Sequence, residues 1–196
     1  MADTVVTIFV EGDTEVDFYK KLVSHFREQN GGRLTCKVDV KNVKGVGNYQ
    51  SKVCRIFEKS IKVQNPGCRY QLLLCYDSDA FEFSRKPPVD WPVVVEKLKS
   101  LGADEVSLVK AVTSIEDWFL CDTEGLRKYL KLPKKYKISG YTGQKGLEQL
   151  FLKAKKTYIK GVRCEGLIDA LDLDVIIPQI DQEISILQKV LMDESN

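Results

Sequence analysis

Apolar and polar positions along the first part of the chain switch between strand and helix periods. TVVTIFV is a β-branched run closed by Glu11-Gly12, which predicts a buried strand. In DTEVDFYKKLVSHFREQ, residues Val16, Tyr19, Leu22, Val23 and Phe26 recur at helical spacing, and Asp13 or Thr14 suits the N-cap. NGG breaks that helix, and RLTCKVDVKNV alternates as a strand. The Gly-rich turn KGVGN then leads into a helix, YQSKVCRIFEKSIK, ended by NPG. RYQLLLCYD is a continuous apolar strand that stops at Asp77. A polar loop with two prolines, SDAFEFSRKPPVD, precedes the helix WPVVVEKLKSLG and the strand EVSLVKAV. From SIEDWFLCDTEGLRKYL onward the pattern is helical with lysine-rich connections, through GLEQLFLKAKKTYI to VIIPQIDQEISILQKVLM.

The resulting order, β-α-β-α-β-α-β, predicts an α/β fold with a mostly parallel four-stranded sheet flanked by helices, followed by a helical C-terminal extension. Residues 1–126 form the expected α/β core, and residues 127–196 an extension packed on it, first basic and then acidic. There are no internal repeats and no low-complexity linker.

Charge is segregated. Residues 127–163 hold twelve basic residues against one acid, and residues 164–196 hold eight acids against one lysine. Tyr129, Tyr136, Tyr141, Phe151 and Tyr158 interleave with the basic stretch. Lysines that release counterions, beside aromatics that stack on bases, suit a polyanion, and Lys134, Lys135, Lys145, Lys153, Lys155, Lys156 and Arg163 are the candidate nucleic-acid contacts. The plainer reading is a solvated face whose aromatics anchor helices to the core.

Several function classes recede. No apolar run approaches the ~20 residues of a membrane span, and the N-terminus lacks the features of a signal peptide, so the expectation is a cytoplasmic protein with no membrane partner. None of the six cysteines forms a CxxC pair, which argues against structural zinc. Cys75 and Cys121 sit in apolar runs and read as buried free thiols. The single histidine, His25, sits mid-helix and disfavours imidazole-based triads.

In open α/β sheets, ligands bind beyond the carboxyl ends of the strands. Strand one ends at Glu11, with Glu15 in the next helical turn; strand three ends at Asp77-Ser78-Asp79; strand four leads to Ser114, Glu116 and Asp117. Carboxylates gathered at one rim repel one another unless a cation joins them, and hard oxygen ligands suit Mg²⁺ or Mn²⁺. As an alternative, Asp13, Glu116 and Asp117 serve as helix caps.

FVEGDTEVDFYKKL followed by LLLCYDSDAFE resembles the TOPRIM family of topoisomerases, bacterial primases, maturase ribonucleases and OLD-type (overcoming-lysogenisation-defect) nucleases. That family places a Glu after its first strand, usually before Gly, and a DxD after its third. Glu11-Gly12 and Asp77-x-Asp79 match both motifs; EGDTE and SIEDWF look most like the OLD-type branch. The resemblance covers roughly residues 4–122. It implies a metal held by Glu11, Asp77 and Asp79, with Glu15 as a further ligand, and Glu11, Glu116 and a downstream lysine in catalysis. Lys160 in TYIKGVR stands ahead of Lys145 in GQKG for that lysine. It also implies nuclease activity in defence against phage or other foreign DNA, with DNA ahead of RNA as substrate. The chain has no Walker GxxxxGK[ST], so an ATPase partner would be a separate protein; a homodimer is a further expectation. Two other classes compete: a non-catalytic TOPRIM-shaped nucleic-acid-binding or regulatory subunit, and a receiver-type switch with Asp77 as phospho-acceptor.

Overall fold

The computed structural model describes residues 3–82 and 87–192. Residues 83–86 of the two-proline loop, and Asp193 and Glu194 of the acidic tail, lie outside the described residues. Strands β1 (Thr4–Val10), β2 (Lys37–Asn42), β3 (Arg69–Asp77) and β4 (Glu105–Ala111) form one sheet in the order β2-β1-β3-β4. Every pair is parallel. Parallel neighbours cannot be joined by hairpins, so each connection carries a helix across a face.

The helices are α1 (Asp13–Gln29), α2 (49–64), α3 (Trp91–Ser100), α4 (Ile115–Cys121), α5 (Thr123–Leu130), α6 (Gly143–Lys153) and α7 (Leu173–Met192), with single turns at Asp79–Glu82 and Leu167–Ala170. Inside α2, π-helical turns at Tyr49–Val53 and Phe57–Ile61 alternate with α-helical ones, where the sequence pattern predicted a uniform helix. Among the described residues no helix is long and apolar enough to cross a membrane.

All seven residues of β1 are buried, which accounts for its unbroken apolar run. Val6, Ile8 and Val10 face a core shared with Phe18 and Phe26 of α1, Trp118 and Phe119 of α4, Phe151 of α6 and Ile184 of α7. Val5 and Phe9 face the opposite core, closed by Val53 and Phe57 of α2 and Val94 and Leu98 of α3. The helices that follow residue 126 therefore complete the face that α1 begins.

Three local expectations are corrected. The run SIEDWFLCDTEGLRKYL is broken at Asp122, whose carboxylate accepts from Gly125 N and from Asp172 N and so caps α5 while tying in the segment ahead of α7. Helix α6 ends at Lys153, not at Ile159, because Lys155 turns into the left-handed region (φ 57°). Residues 154–166 then run without regular structure back to the sheet edge. Cys121 is half-buried rather than buried, whereas Cys75 is buried as expected; no disulfide forms among the described residues.

The connectivity opens one crevice. Helix α1 leaves β1 on one face, while the chain leaving β3 goes to α3 on the other. Adjacent strands whose connections diverge in this way leave a gap beyond their carboxyl ends. Regular β1–β3 pairing stops at Phe9 and Leu74. There the hydroxyl of Tyr49 donates to the Phe9 carbonyl at 3.0 Å and also reaches the Cys75 carbonyl, satisfying backbone acceptors that the parting strands no longer pair.

Candidate functional site

Glu11 and Asp77 end the two strands that flank this crevice, and they meet. Glu11 Oε1 accepts the Asp77 N–H at 3.3 Å, and the Glu15 carboxylate folds back to accept the Glu11 N–H at 2.8 Å. Glu15 stands at the third position of α1, where a capping-box glutamate would stand, but reaches one residue beyond the N-cap. The residue at the N-cap itself is Gly12, with no side-chain cap, which corrects the assignment to Asp13 or Thr14. Asp13 instead accepts from Asn42 Nδ2 at 2.6 Å, and Thr14 Oγ1 donates to the Val162 carbonyl at 2.7 Å.

Asp77 Oδ1 accepts the Ile115 N–H at 2.9 Å, and Oδ2 receives Lys160 Nζ at 2.7 Å. The same ammonium lies 3.7 Å from Asp79 Oδ2. The structure therefore brings Glu11, Asp77, Asp79 and Lys160 together, with Glu15 directly behind. Lys145 is exposed near the start of α6, and it is Lys160 that reaches the aspartates. Glu116 is wholly buried: Tyr158 OH donates to its Oε1 at 2.9 Å, and its Oε2 has no partner among the described residues. Asp117 accepts the Gly143 N–H at 2.7 Å and so ties α4 to the start of α6.

The backbone around the DxD is strained. Asp79 N donates to the Thr113 carbonyl at 3.0 Å, and Thr113 N donates to Ser78 Oγ at 2.9 Å. Thr113 holds φ 69°, a conformation that a β-branched residue rarely adopts. Gly12 is required by a close approach: a Cβ there would lie 2.6 Å from Gly161 Cα. The Asp13 N–H donates to the Gly161 carbonyl at 3.0 Å, which locks residues 158–163 across the start of α1.

Crowded, buried carboxylates resist ionisation. Burial, then the charge of Asp77, pushes Glu11 up to about 7. Burial pushes Asp77 up to about 6, although Lys160 pulls it back. Glu15 stands well above the usual carboxylate range through burial, Asp77 and Glu11. Burial alone would lower Lys160, but Asp77 and Glu116 outweigh it and raise the ammonium above the usual lysine range.

Among the described residues no group of three or more His, Cys, Asp or Glu side chains stands gathered for a metal ion. The positive charge in contact with Asp77 and Asp79 is the Lys160 ammonium. The chemistry of the set nevertheless suits a hard divalent cation: the donors are all carboxylate oxygens, burial and then neighbouring charge hold Glu11 and Glu15 above the usual carboxylate range, and one buried oxygen, Glu116 Oε2, lacks a partner among the described residues.

The basic stretch divides. Lys134, Lys135, Lys145, Lys153 and Lys155 are exposed. Lys156 lies over the Tyr129 ring, 4.2 Å from its centroid, and Arg163 pairs with Asp17 at 2.7 Å, so both are engaged within the chain. The aromatics do not form a stacking platform. Phe151 and Tyr158 are buried in the core, and Tyr129, Tyr136 and Tyr141 pack against it. Tyr158 and Tyr49 are the site residues that sequence reasoning missed. Tyr158 lies two residues before the lysine already singled out, while Tyr49 reads simply as an apolar position on a helix.

Compared with known proteins, the chain matches no family model, no curated protein and no solved structure.

Proposed function

We propose that this chain is a divalent-metal-dependent nuclease of the TOPRIM type, nearest the OLD branch. It would hydrolyse phosphodiesters, DNA ahead of RNA, in defence against foreign nucleic acid. The observation that carries this reading is that Glu11 accepts from the Asp77 backbone at the crevice between β1 and β3, where the Lys160 ammonium bridges Asp77 and Asp79. Asp77, Asp79 and Glu11 would hold Mg²⁺ or Mn²⁺, with Glu15 bracing the Glu11 backbone and Glu116 available behind. Such an ion, when bound, supplies the charge that makes water a nucleophile and stabilises the leaving oxygen.

The chain's own groups have separate tasks. The Lys160 ammonium, fixed at the rim by its neighbours Tyr158 and Gly161, offers positive charge to a phosphate oxygen. Exposed lysines of the basic stretch would attract the polyanion to the chain by their charge. An ATPase, if the system needs one, is a separate chain, and a homodimer is the assembly this proposal carries with it.

One observation favours a second reading. Lys160 pairs with Asp77 and offsets part of the charge of Asp79 without any added ion, as a non-catalytic nucleic-acid-binding subunit would allow. Incubating the purified chain with DNA and with RNA in Mn²⁺ separates the two, and the same assay is repeated with an ATPase if one is encoded beside it. Cutting that Asp77→Asn abolishes supports the nuclease; binding without cutting supports the subunit.

A further inference from the structure

Beside the carboxylates lies a cleft of about 770 Å³ with two built walls. One wall is the turn after β2, comprising Asn42, Lys44, Gly45 and Val46; the other is Gly161 and Val162. Glu11, Glu15, Asp79 and Lys160 line it between them, and Asp13 lies at its edge.

Both walls are fixed by the fold. Lys44 and Gly45 hold φ 62° and 100°, and the turn is pinned by Gly45 N to the Glu11 carbonyl and by Lys44 N to Asn42 Oδ1. On the other side, Thr14 Oγ1 holds the Val162 carbonyl while Val162 as a residue stays 53% exposed. An apolar side chain left that open at the mouth of an acidic crevice is a contact surface in want of an apolar ligand face. The exposed Lys44 supplies a cation for a phosphate, and the Asn42–Asp13 pair supplies a polar edge between them.

Resting on the nuclease reading, the geometry points to this cleft as the seat of one unstacked nucleotide next to the scissile phosphate, so that the substrate is a single strand or a frayed end. Its base lies between Val46 and Val162, its phosphate against Lys44, and its sugar or base edge on Asn42 and Asp13. The volume falls within the roughly 300–1,000 Å³ of small-ligand sites, enough to admit a nucleotide. A paired base would have to leave its helix to enter, at an unstacking cost that a single strand does not meet.

The test is fluorescence anisotropy on the full chain with Ca²⁺ present, using a labelled single strand and the same sequence as a blunt duplex. The single strand binds at least about tenfold tighter than the duplex, and Val162→Ser, alone and with Val46→Ser, weakens it about tenfold, roughly the worth of one buried valine contact. Duplex binding is unchanged by either variant. Val162 is exposed, so its substitution leaves the fold intact and keeps the test decisive. Equal binding of both forms, or equal weakening of both, overturns the cleft assignment while leaving the nuclease reading in place. Binding of neither form overturns both.

Discussion

Lys160 and Asp77 lie 83 residues apart in the chain and 2.7 Å apart in the fold, on an ion pair that is only partly open to water. The pair joins the loop after α6 to the end of the central strand β3. It also marks where the crevice carries its positive charge.

Removing that lysine leaves Asp77 buried without its counter-ion. Lys160→Ala should lower stability by about 1–3 kcal/mol, and Mg²⁺ should raise the unfolding temperature more in the variant than in the parent chain. If the chain cuts nucleic acid, the rate should fall by ~10²-fold while metal binding persists, since the ammonium is no ligand. Thermal unfolding with and without Mg²⁺ checks the first part, and single-turnover cleavage the second.

The raised carboxyls set a pH dependence. Glu11 and Asp77 hold their protons more tightly folded than unfolded, so the unfolded chain binds fewer protons between the two sets of values. Without divalent metal, stability should therefore fall as pH rises from about 4 to about 7, and stay flat below that window. Glu11→Gln should flatten the upper part of the slope. Urea melts across that range in EDTA measure it.

Gly12 permits the loop at Gly161 to lie against α1. Gly12→Ala should push that loop away, breaking the Asp13–Gly161 hydrogen bond and displacing Lys160, at a cost of about 1–3 kcal/mol. Amide hydrogen exchange should show protection lost at Asp13, with the sheet interior unchanged. Unchanged protection there would mean that the glycine is not needed for this contact.

Thr113 stores strain beside the DxD. Thr113→Gly should relieve the ~1–2 kcal/mol cost of a left-handed residue, offset in part by the entropy of glycine. A small gain or no change in the urea midpoint is expected, together with looser hydrogen bonding at the Asp79 amide, which its carbonyl accepts.

The strand-ending acids were legible because a buried parallel strand reads as an unbroken apolar run, and its end is where polarity returns. Glu11 and Asp77 stand at two such ends, and the order of strands and helices is enough to place them at one rim. Lys160 was harder. Its loop lies in a lysine-rich stretch whose apolar spacing imitates a helix, and a left-handed turn at Lys155 overrides that pattern. The Tyr158–Glu116 contact spans 42 residues and leaves no local signature. Nor does composition separate the aromatics of the basic stretch into core anchors and ligand contacts, since burial alone decides that.

Direct titration of the chain with Mn²⁺, followed by calorimetry or by the electron spin resonance of the free ion, bears on the metal site without assuming any substrate. The account predicts at least one bound ion, retained in Lys160→Ala and lost in Asp77→Asn while the circular dichroism of the fold is unchanged. A parent chain that binds no Mn²⁺, or an Asp77→Asn chain that binds it equally well, would contradict the assignment of Glu11, Asp77 and Asp79 as a metal centre.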